Sequence, residues 1–193
     1  MKCYVLNGGL SRRMGVPKWE LRLEGSTFLE RVMAAALPVF DEVIMIASAE
    51  WAGVTPGRVI VEEPREVRSP LFGMREAFRD CADSRIWILG VDFPLISSSV
   101  LRFLSSAFER SEAEVLVPIE LGHRQVLCAG YSMSVAKSVD RLLESGDFRV
   151  QNLLHFHSHE EIAEHDMLRH FPERPLRNVN HPTEYAQLRS VHG

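Results

Sequence analysis

The chain has 193 residues, 46% of them hydrophobic, and a formal net charge of −4 at pH 7. This length favours one domain spanning residues 1–193, and the acidic balance argues against nucleic-acid binding because no basic excess is present to neutralise a phosphate backbone. No apolar run approaches the roughly 20 residues that cross a bilayer, so we expect no membrane attachment. Cys3, Cys81 and Cys128 lack metal-ligand spacing, and no secretory leader precedes the first loop, which together predict a cytoplasmic protein with unpaired thiols.

The first half of the chain alternates short apolar runs with segments of helical periodicity. Cys3–Leu6 is predicted as a strand and is followed by a loop over residues 7–17. A helix capped by Ser26 or Thr27 should end at Pro38, because proline cannot continue a helix interior. Two more strands are predicted, at Val43–Ile46 and Val59–Val61.

The second half continues this alternation. Pro70 stands where a helix can begin, because its fixed φ suits the first turn, and Ser97–Ser99 can begin another. A further helix is predicted from about Val135 to Leu143, ending at Gly146. Strands are predicted at Ile86–Leu89, Val115–Val117 and Val126–Cys128, the last two paired around Gly122.

Nearly continuous apolar strands separated by helices indicate a mostly parallel sheet that is covered on both faces. We therefore predict an α/β fold with a single doubly wound, Rossmann-like sheet and helices on both of its faces. Ligands of such sheets bind at the carboxyl ends of the strands. The residues that follow each strand are therefore the candidates for a functional site.

A glycine-rich basic loop follows the first strand, with the sequence Asn-Gly-Gly-Leu-Ser-Arg-Arg-Met-Gly-Val-Pro-Lys over residues 7–18. Glycines let backbone N–H groups approach an anion closely, and Arg12, Arg13 and Lys18 add charge suited to a triphosphate. The spacing matches neither a Walker loop nor a dinucleotide fingerprint. On spacing alone, an ordinary turn with solvated basic residues explains the loop equally well.

An acidic residue follows the strand predicted at Ile86–Leu89, in the sequence Gly90-Val91-Asp92-Phe93-Pro94. A carboxylate at the end of a central strand can point into the ligand crevice and hold a hard divalent cation through oxygen. Asp92 could instead cap the turn that follows it, and taken alone the capping role is slightly favoured.

The two motifs occur together in an order that resembles the molybdenum cofactor guanylyltransferase family, the MobA-like nucleotidyltransferases. That family opens with a strand and Leu-x-Gly-Gly-x-x-x-Arg-Met-Gly-x-x-Lys, which is matched here by Leu6, Gly8, Gly9, Arg13, Met14, Gly15 and Lys18. Its Gly-Pro-Leu-x-Gly turn is matched by Pro70, Leu71 and Gly73, with Ser69 in place of the first glycine. Its Asp-x-Pro is matched by Asp92 and Pro94, and its C-terminal motif by Asn178, Asn180, Pro182 and Glu184.

The resemblance implies an enzyme that joins the terminal phosphate of molybdopterin cofactor to the α-phosphorus of GTP and releases pyrophosphate. It implies Mg²⁺ as the cofactor, held by Asp92 with Asn180 as a second oxygen ligand, and Lys18, Arg13 and Asp92 as the catalytic set. The implied nucleotide-binding residues are Leu6, Asn7, Gly8, Gly9, Arg13, Lys18, Pro70, Leu71, Gly73 and Asp92. Molybdoenzymes or their chaperones are implied as partners that receive the product.

The choice of nucleotide depends on residues near the predicted site. The cytidylyltransferase relatives usually carry Ala-Gly where this chain has Gly8-Gly9, and a glycine at position 8 leaves more room for a purine. Asn7 stands where the family commonly has alanine, and Arg65 where it tends to have glycine. The alternatives are CTP with the same cofactor, another phosphorylated acceptor such as a sugar phosphate, or a non-catalytic protein that binds and delivers nucleotide or cofactor.

A histidine-rich segment lies at residues 155–170, with histidines at positions 155, 157, 159, 165 and 170. Alternate histidines can bind zinc or nickel, but no second group of ligands is fixed by the spacing. We therefore predict a solvated surface for this segment. The pair His123-Arg124, ahead of a predicted strand, fits contact with a substrate phosphate or pterin and an ordinary turn equally well.

Overall fold

The computed structural model describes residues 1–7, 20–49, 57–63, 65–179 and 181–192. The strands are β1 Lys2–Leu6, β2 Arg22–Leu23, β3 Ser26–Thr27, β4 Glu42–Ala47, β5 Arg58–Val61, β6 Arg85–Gly90, β7 Val115–Glu120, β8 His123–Arg124, β9 Cys128–Ser132 and β10 His159–Ile162. The α-helices are α1 Phe28–Ala36, α2 Pro70–Asp80, α3 Ser98–Arg110, α4 Ala136–Ser145, α5 Glu164–His170 and α6 Pro182–His192. Short 3₁₀ helices cover Met133–Val135 and Val150–His155.

One mixed sheet organises the molecule, with the strand order β10-β7-β9-β6-β1-β4-β5 and β8 paired to β7. The pairs β6–β1, β1–β4, β4–β5 and β10–β7 are parallel. Strand β9 runs antiparallel between β6 and β7. The predicted α/β fold with a mostly parallel sheet is therefore confirmed.

Helices cover both faces of this sheet, as predicted. One hydrophobic cluster joins α1 and α3 to the face that carries Val5, Trp87 and Leu89. A second cluster joins α2 and α4 to the opposite face, which carries Tyr4 and Ile88. Strand residues are buried on both sides, which explains why the strands are nearly continuous apolar runs.

The predicted helix ends are set by side chains that satisfy the free backbone groups. Thr27 caps α1 in a capping box with Glu30, in which each side chain accepts a hydrogen bond from the other residue's main-chain N–H. Ser97 caps α3 by accepting a hydrogen bond from the N–H of Val100. Helix α4 ends at Gly146, whose φ of 73° lies in the left-handed region that glycine tolerates best.

The strand predicted at Val126–Cys128 is displaced in the structure, where β9 begins only at Cys128. Residues 126–127 form a turn closed by the Cys128 N–H, which donates to the Gln125 carbonyl at 2.8 Å. The buried Tyr131 hydroxyl donates to the Val126 carbonyl at 2.7 Å and stabilises this turn. The prediction was wrong because an apolar triplet cannot by itself distinguish a buried turn from a strand.

The histidine-rich segment is partly structural, which corrects the prediction that it is all solvated. Four of the five histidines are exposed, but the His157 side chain is only 9% exposed. Its Nδ1 lies 3.1 Å from Glu114 Oε1, and its Nε2 lies 2.8 Å from Ser138 Oγ. Across the described ranges, no group of three or more histidine, cysteine or acidic side chains has a geometry that would hold a metal ion.

Two further observations concern the cysteines and the helices. Cys3, Cys81 and Cys128 are all buried and unpaired. None of the described helices combines the length and the apolar character needed to cross a membrane.

Candidate active site

The register of the central strands brings two predicted site residues to one edge of the sheet. The last residue of β1, Leu6, pairs with Ile46 of β4 on one side and with Gly90 of β6 on the other. Asn7 therefore leaves the sheet between the ends of these two strands, and Asp92 follows the end of β6 by two residues. Both lie at the carboxyl edge, where ligands of doubly wound sheets bind.

Asp92 is half-buried and is held against the end of β6. A Cβ atom added at Gly90 would lie 2.5 Å from Asp92 Oδ1, so the absence of a side chain at Gly90 makes room for this carboxylate. The main-chain carbonyl of Asp92 accepts a hydrogen bond from the Val179 N–H at 3.0 Å. The segment that leads to residue 180 therefore runs beside Asp92.

A pocket with about 500 Å³ of empty space, including the solvent at its mouth, opens beside Asn7. Its wall comes from the residues that follow β1, β4 and β5 and from the residues that precede α2. They are Asn7, Ser48, Glu62, Glu63, Arg65, Val67, Arg68 and Ser69. Parallel strands that end at the same edge explain why residues so far apart in sequence form one wall.

Asn7 is only 6% exposed. Its main-chain N–H donates to the Ile46 carbonyl at 2.9 Å, and its side-chain Nδ2 has a long contact of 4.0 Å with the Met45 sulfur. Its side-chain Oδ1 is buried and has no hydrogen-bond partner within the described ranges. Buried acceptors without partners are rare in folded proteins.

The acidic and basic groups of the pocket influence one another. Burial raises the pKa of the Glu62 carboxyl above its ordinary value, although the positive charges of Arg68 and Arg65 act in the opposite direction. A guanidinium nitrogen of Arg65 is 3.5 Å from Glu63 Oε2. The guanidinium carbon of Arg65 is 4.6 Å from the centre of the Phe72 ring. These contacts hold Arg65 beside Glu63 at the wall.

Helix α2 begins at the pocket, as predicted, with Pro70 in its first turn. Ser69 caps the helix by accepting a hydrogen bond from the Leu71 N–H at 3.1 Å, and its hydroxyl donates to the Phe148 carbonyl at 2.9 Å. The unpaired N–H groups and the dipole of this helix end favour an anion nearby.

Two predicted nucleotide-binding residues of α2 have packing roles. The Leu71 side chain is fully buried in the core. A Cβ at Gly73 would lie 3.1 Å from Leu6 Cδ2, so this glycine permits close packing of α2 on β1. Leu6 itself is 8% exposed. A nucleotide above this edge would meet the main chain of these residues more readily than their side chains.

Several predicted site residues lie outside the described residues. They are Gly8, Gly9, Arg12, Arg13, Gly15, Lys18 and Asn180. His123 and Arg124, which the sequence offered either for contact with a substrate phosphate or pterin or for a turn, form β8. Arg124 Nε donates a hydrogen bond to Glu161 Oε1 at 2.6 Å.

Five residues of the pocket wall were not among the sequence candidates, namely Ser48, Glu62, Glu63, Val67 and Arg68. Ser48 directly follows β4, and Glu62 directly follows β5. The rule that ligands bind at the carboxyl ends of parallel strands could have identified both of them, because both strands were predicted.

A sequence profile of the MobA-like NTP transferase domain matches residues 3–162. The chain belongs to the MobA-like NTP transferase family. A probable molybdenum cofactor guanylyltransferase of Aquifex aeolicus is 27% identical over 190 residues, which cover 98% of this chain and 90% of that protein. One from Pelotomaculum thermopropionicum is 30% identical over 147 residues, which cover 76% of this chain and 70% of that protein.

A solved structure shows the same fold. The crystal structure of molybdopterin-guanine dinucleotide biosynthesis protein A from Archaeoglobus fulgidus superposes with a TM-score of 0.84. The match covers 99% of this chain and 98% of that one, at 21% sequence identity. The two chains therefore share their topology over nearly their whole length.

Proposed function

We propose that this MobA-like NTP transferase moves GMP from GTP to the terminal phosphate of molybdopterin cofactor and releases pyrophosphate. The observation that carries the proposal is the placement of Asp92 and the Asn7 pocket at the same carboxyl edge of the sheet. This arrangement offers a pocket on one side and a carboxylate on the other. The names of the relatives support guanylyl transfer to the molybdenum cofactor as the reaction.

The reaction joins an acceptor phosphate oxygen to the α-phosphorus of GTP. The bond between the α-phosphorus and its bridging oxygen to the β-phosphate breaks, and pyrophosphate leaves with the bonding electrons. The attacking phosphate is already an anion near neutral pH, so the reaction needs no general base. The protein is left with positioning the two phosphates in line and with stabilising charge on the phosphoryl oxygens.

Magnesium fits the donor groups that this edge of the sheet presents. Mg²⁺ is commonly bound by one or two carboxylates together with substrate phosphates and water. Asp92 supplies one carboxylate, and within the described ranges no denser cluster of acids competes for the ion. When bound, the ion would offset negative charge on the triphosphate. We assign Asp92 as its protein ligand and Asn180 as a second oxygen donor.

The basic residues complete the proposed catalytic set. Arg13 and Lys18 belong to the loop that follows Asn7, and they are assigned to the triphosphate by the family motif. Helix α2 contributes the positive end of its dipole to the pocket beside Asn7. We further propose that the chain acts as one domain in the cytoplasm, since two large clusters pack on one sheet and the three thiols are unpaired.

Asp92→Asn tests the assignment of the carboxylate. Pyrophosphate release should be measured with GTP, molybdopterin cofactor and a series of magnesium concentrations. We expect turnover to fall at least about 100-fold with little change in melting temperature, because the amide keeps the shape and loses the charge. Near-normal turnover in Asp92→Asn would refute the metal assignment.

Asp83→Asn is the matched control. Asp83 is exposed and precedes the opposite, amino end of the same strand β6. It should leave both turnover and the dependence on magnesium unchanged.

A panel of GTP, CTP, ATP and UTP distinguishes the proposal from its alternatives. A preference for CTP would move the activity to cytidylyl transfer with the same fold. Binding of GTP without pyrophosphate release, in the presence of the cofactor, would indicate a protein that delivers nucleotide or cofactor. Turnover with a sugar phosphate in place of the cofactor would change the acceptor.

A further inference from the structure

The side chain of Asn7 has a feature that the proposed reaction does not require. The transfer of a nucleotidyl group depends on the phosphates, whereas Asn7 lies at the wall of the pocket beside the ends of β4 and β5. Its Oδ1 is buried and has no partner within the described ranges. The Asn7 main chain is already fixed by the hydrogen bond to Ile46, so the side chain is not needed to hold β1 in place.

An unpartnered buried acceptor destabilises the folded protein. Such a group loses its hydrogen bonds to water on folding and gains none in return. The contact of Nδ2 with the Met45 sulfur is too long and too weak to offset this cost. A ligand that donates a hydrogen bond to Oδ1 would remove the penalty, and the recovered free energy would add to its affinity.

The chemistry of the wall indicates which ligand edge can donate. The wall of the pocket contains the carboxylates of Glu62 and Glu63 and the guanidinium groups of Arg65 and Arg68. The wall therefore offers both acceptors and donors, and the buried Asn7 Oδ1 is an acceptor that only a donor group of a ligand can satisfy. The Watson–Crick edge of guanine places N1–H next to the 2-amino group, whereas adenine and cytosine each present one amino group beside an acceptor nitrogen.

We propose that Asn7 is a specificity-determining residue whose Oδ1 accepts a hydrogen bond from an N–H on the Watson–Crick edge of guanine. This assignment rests on the proposed function, since it requires a nucleotide base in the pocket. Asn7 stands where the family commonly has alanine, and the hydrogen bond gives this difference a chemical role, which is to favour a base that donates.

The test compares two purine nucleotides in wild-type protein and in Asn7→Ala. GTP carries the donors, and purine riboside triphosphate has the same ring system and the same triphosphate without an N–H on its edge. Dissociation constants should be measured by calorimetry in the presence of magnesium. Removing Oδ1 should raise the dissociation constant for GTP roughly five- to tenfold and leave that for purine riboside triphosphate within about twofold.

Two controls keep the comparison clear. Ser105→Ala removes another buried polar side chain, on α3, whose hydroxyl donates to the Arg102 carbonyl at 3.3 Å, and it should alter neither constant. Thermal melting without nucleotide should show no loss of stability in Asn7→Ala, because the acceptor that is removed had no partner. If Asn7→Ala does not fold, Asn7→Leu keeps the size of the side chain without an acceptor and carries the comparison.

The outcomes separate this inference from the proposed function. If Asn7→Ala loses affinity equally for both nucleotides, or for neither, the role of Asn7 is overturned. Binding of GTP by the wild-type protein then still supports the proposed function. Failure of wild-type protein to bind any nucleoside triphosphate overturns both. A loss of affinity in Asn7→Ala for GTP alone supports the hydrogen bond to the base.

Discussion

Replacing Gly90 by alanine should disturb the Asp92 carboxylate without disturbing the fold. The added methyl group would lie 2.5 Å from Asp92 Oδ1, which is too close for a carbon and an oxygen that do not share a bond. The carboxylate must therefore shift by roughly 0.5–1 Å to reach ordinary contact distances. The next nearest atom, Leu127 Cβ, is 3.4 Å away and can remain almost in place.

This shift sets the expected size of the effect. A displacement on the order of 1 Å at a reacting centre can cost up to about 100-fold in rate, so we expect kcat/KM to fall roughly 10- to 100-fold. The Asp92 side chain can rotate away, so the free energy of unfolding should change by less than about 1 kcal/mol. The assay is pyrophosphate release across a magnesium series, paired with urea unfolding.

Gly130→Ala is the informative contrast on the neighbouring strand β9. Its Cβ would lie 2.6 Å from Phe108 Cγ, and that ring is fully buried against Trp87 and beneath the Arg85 guanidinium. Such overpacking should lower the free energy of unfolding by about 3 kcal/mol. The reasoning is refuted if Gly90→Ala destabilises as much as Gly130→Ala, or if Gly90→Ala keeps wild-type turnover and magnesium dependence.

Two further predictions concern stability. Hydrogen bonds from Ser134 and His157 lower the pKa of Glu114 from 4.5 to about 2, so the stability that this carboxylate contributes is present above about pH 4.5 and is lost as the pH falls towards 2. In urea titrations, the free energy of unfolding of Glu114→Gln should therefore depend less on pH over this range. An equal pH dependence in the variant and the wild type would contradict the assignment. Thr27→Ala should lower the free energy of unfolding by about 1 kcal/mol through loss of the α1 cap, whereas an equal loss in Ser26→Ala would rule out a specific cap.

The sequence predicted the central part of the fold because the signals there are local. Capping side chains precede α1 and α3, Pro70 begins α2, and Gly146 ends α4. Strands β1, β4 and β6 are apolar runs that no amphipathic helix would produce. The edge strand β10 escaped detection because its residues, His159–Ile162, are mostly polar and lie largely exposed beside strand β7.

In the site, too, the sequence could predict only the residues that have a local signal. Asp92 could be found because it follows an apolar strand and belongs to a motif. The burial of Asn7 Oδ1 and of His157 could not be found, because both depend on neighbours supplied by distant segments. For His157, the partner Glu114 lies 43 residues earlier in the chain, and no local pattern connects them.

The hydrogen bond from Val179 to Asp92 has a consequence for the order in which the molecule folds. The segment around Val179 also packs with Leu21, Leu23 and Phe28, and the Tyr185 hydroxyl donates to the Arg22 carbonyl across 163 residues of chain. Contacts of such long sequence separation form slowly, because loop closure must precede them. During synthesis, the end of β6 emerges well before the residues that complete its surroundings. The sheet can therefore assemble first, and the edge that carries Asp92 gains its final neighbours late in folding.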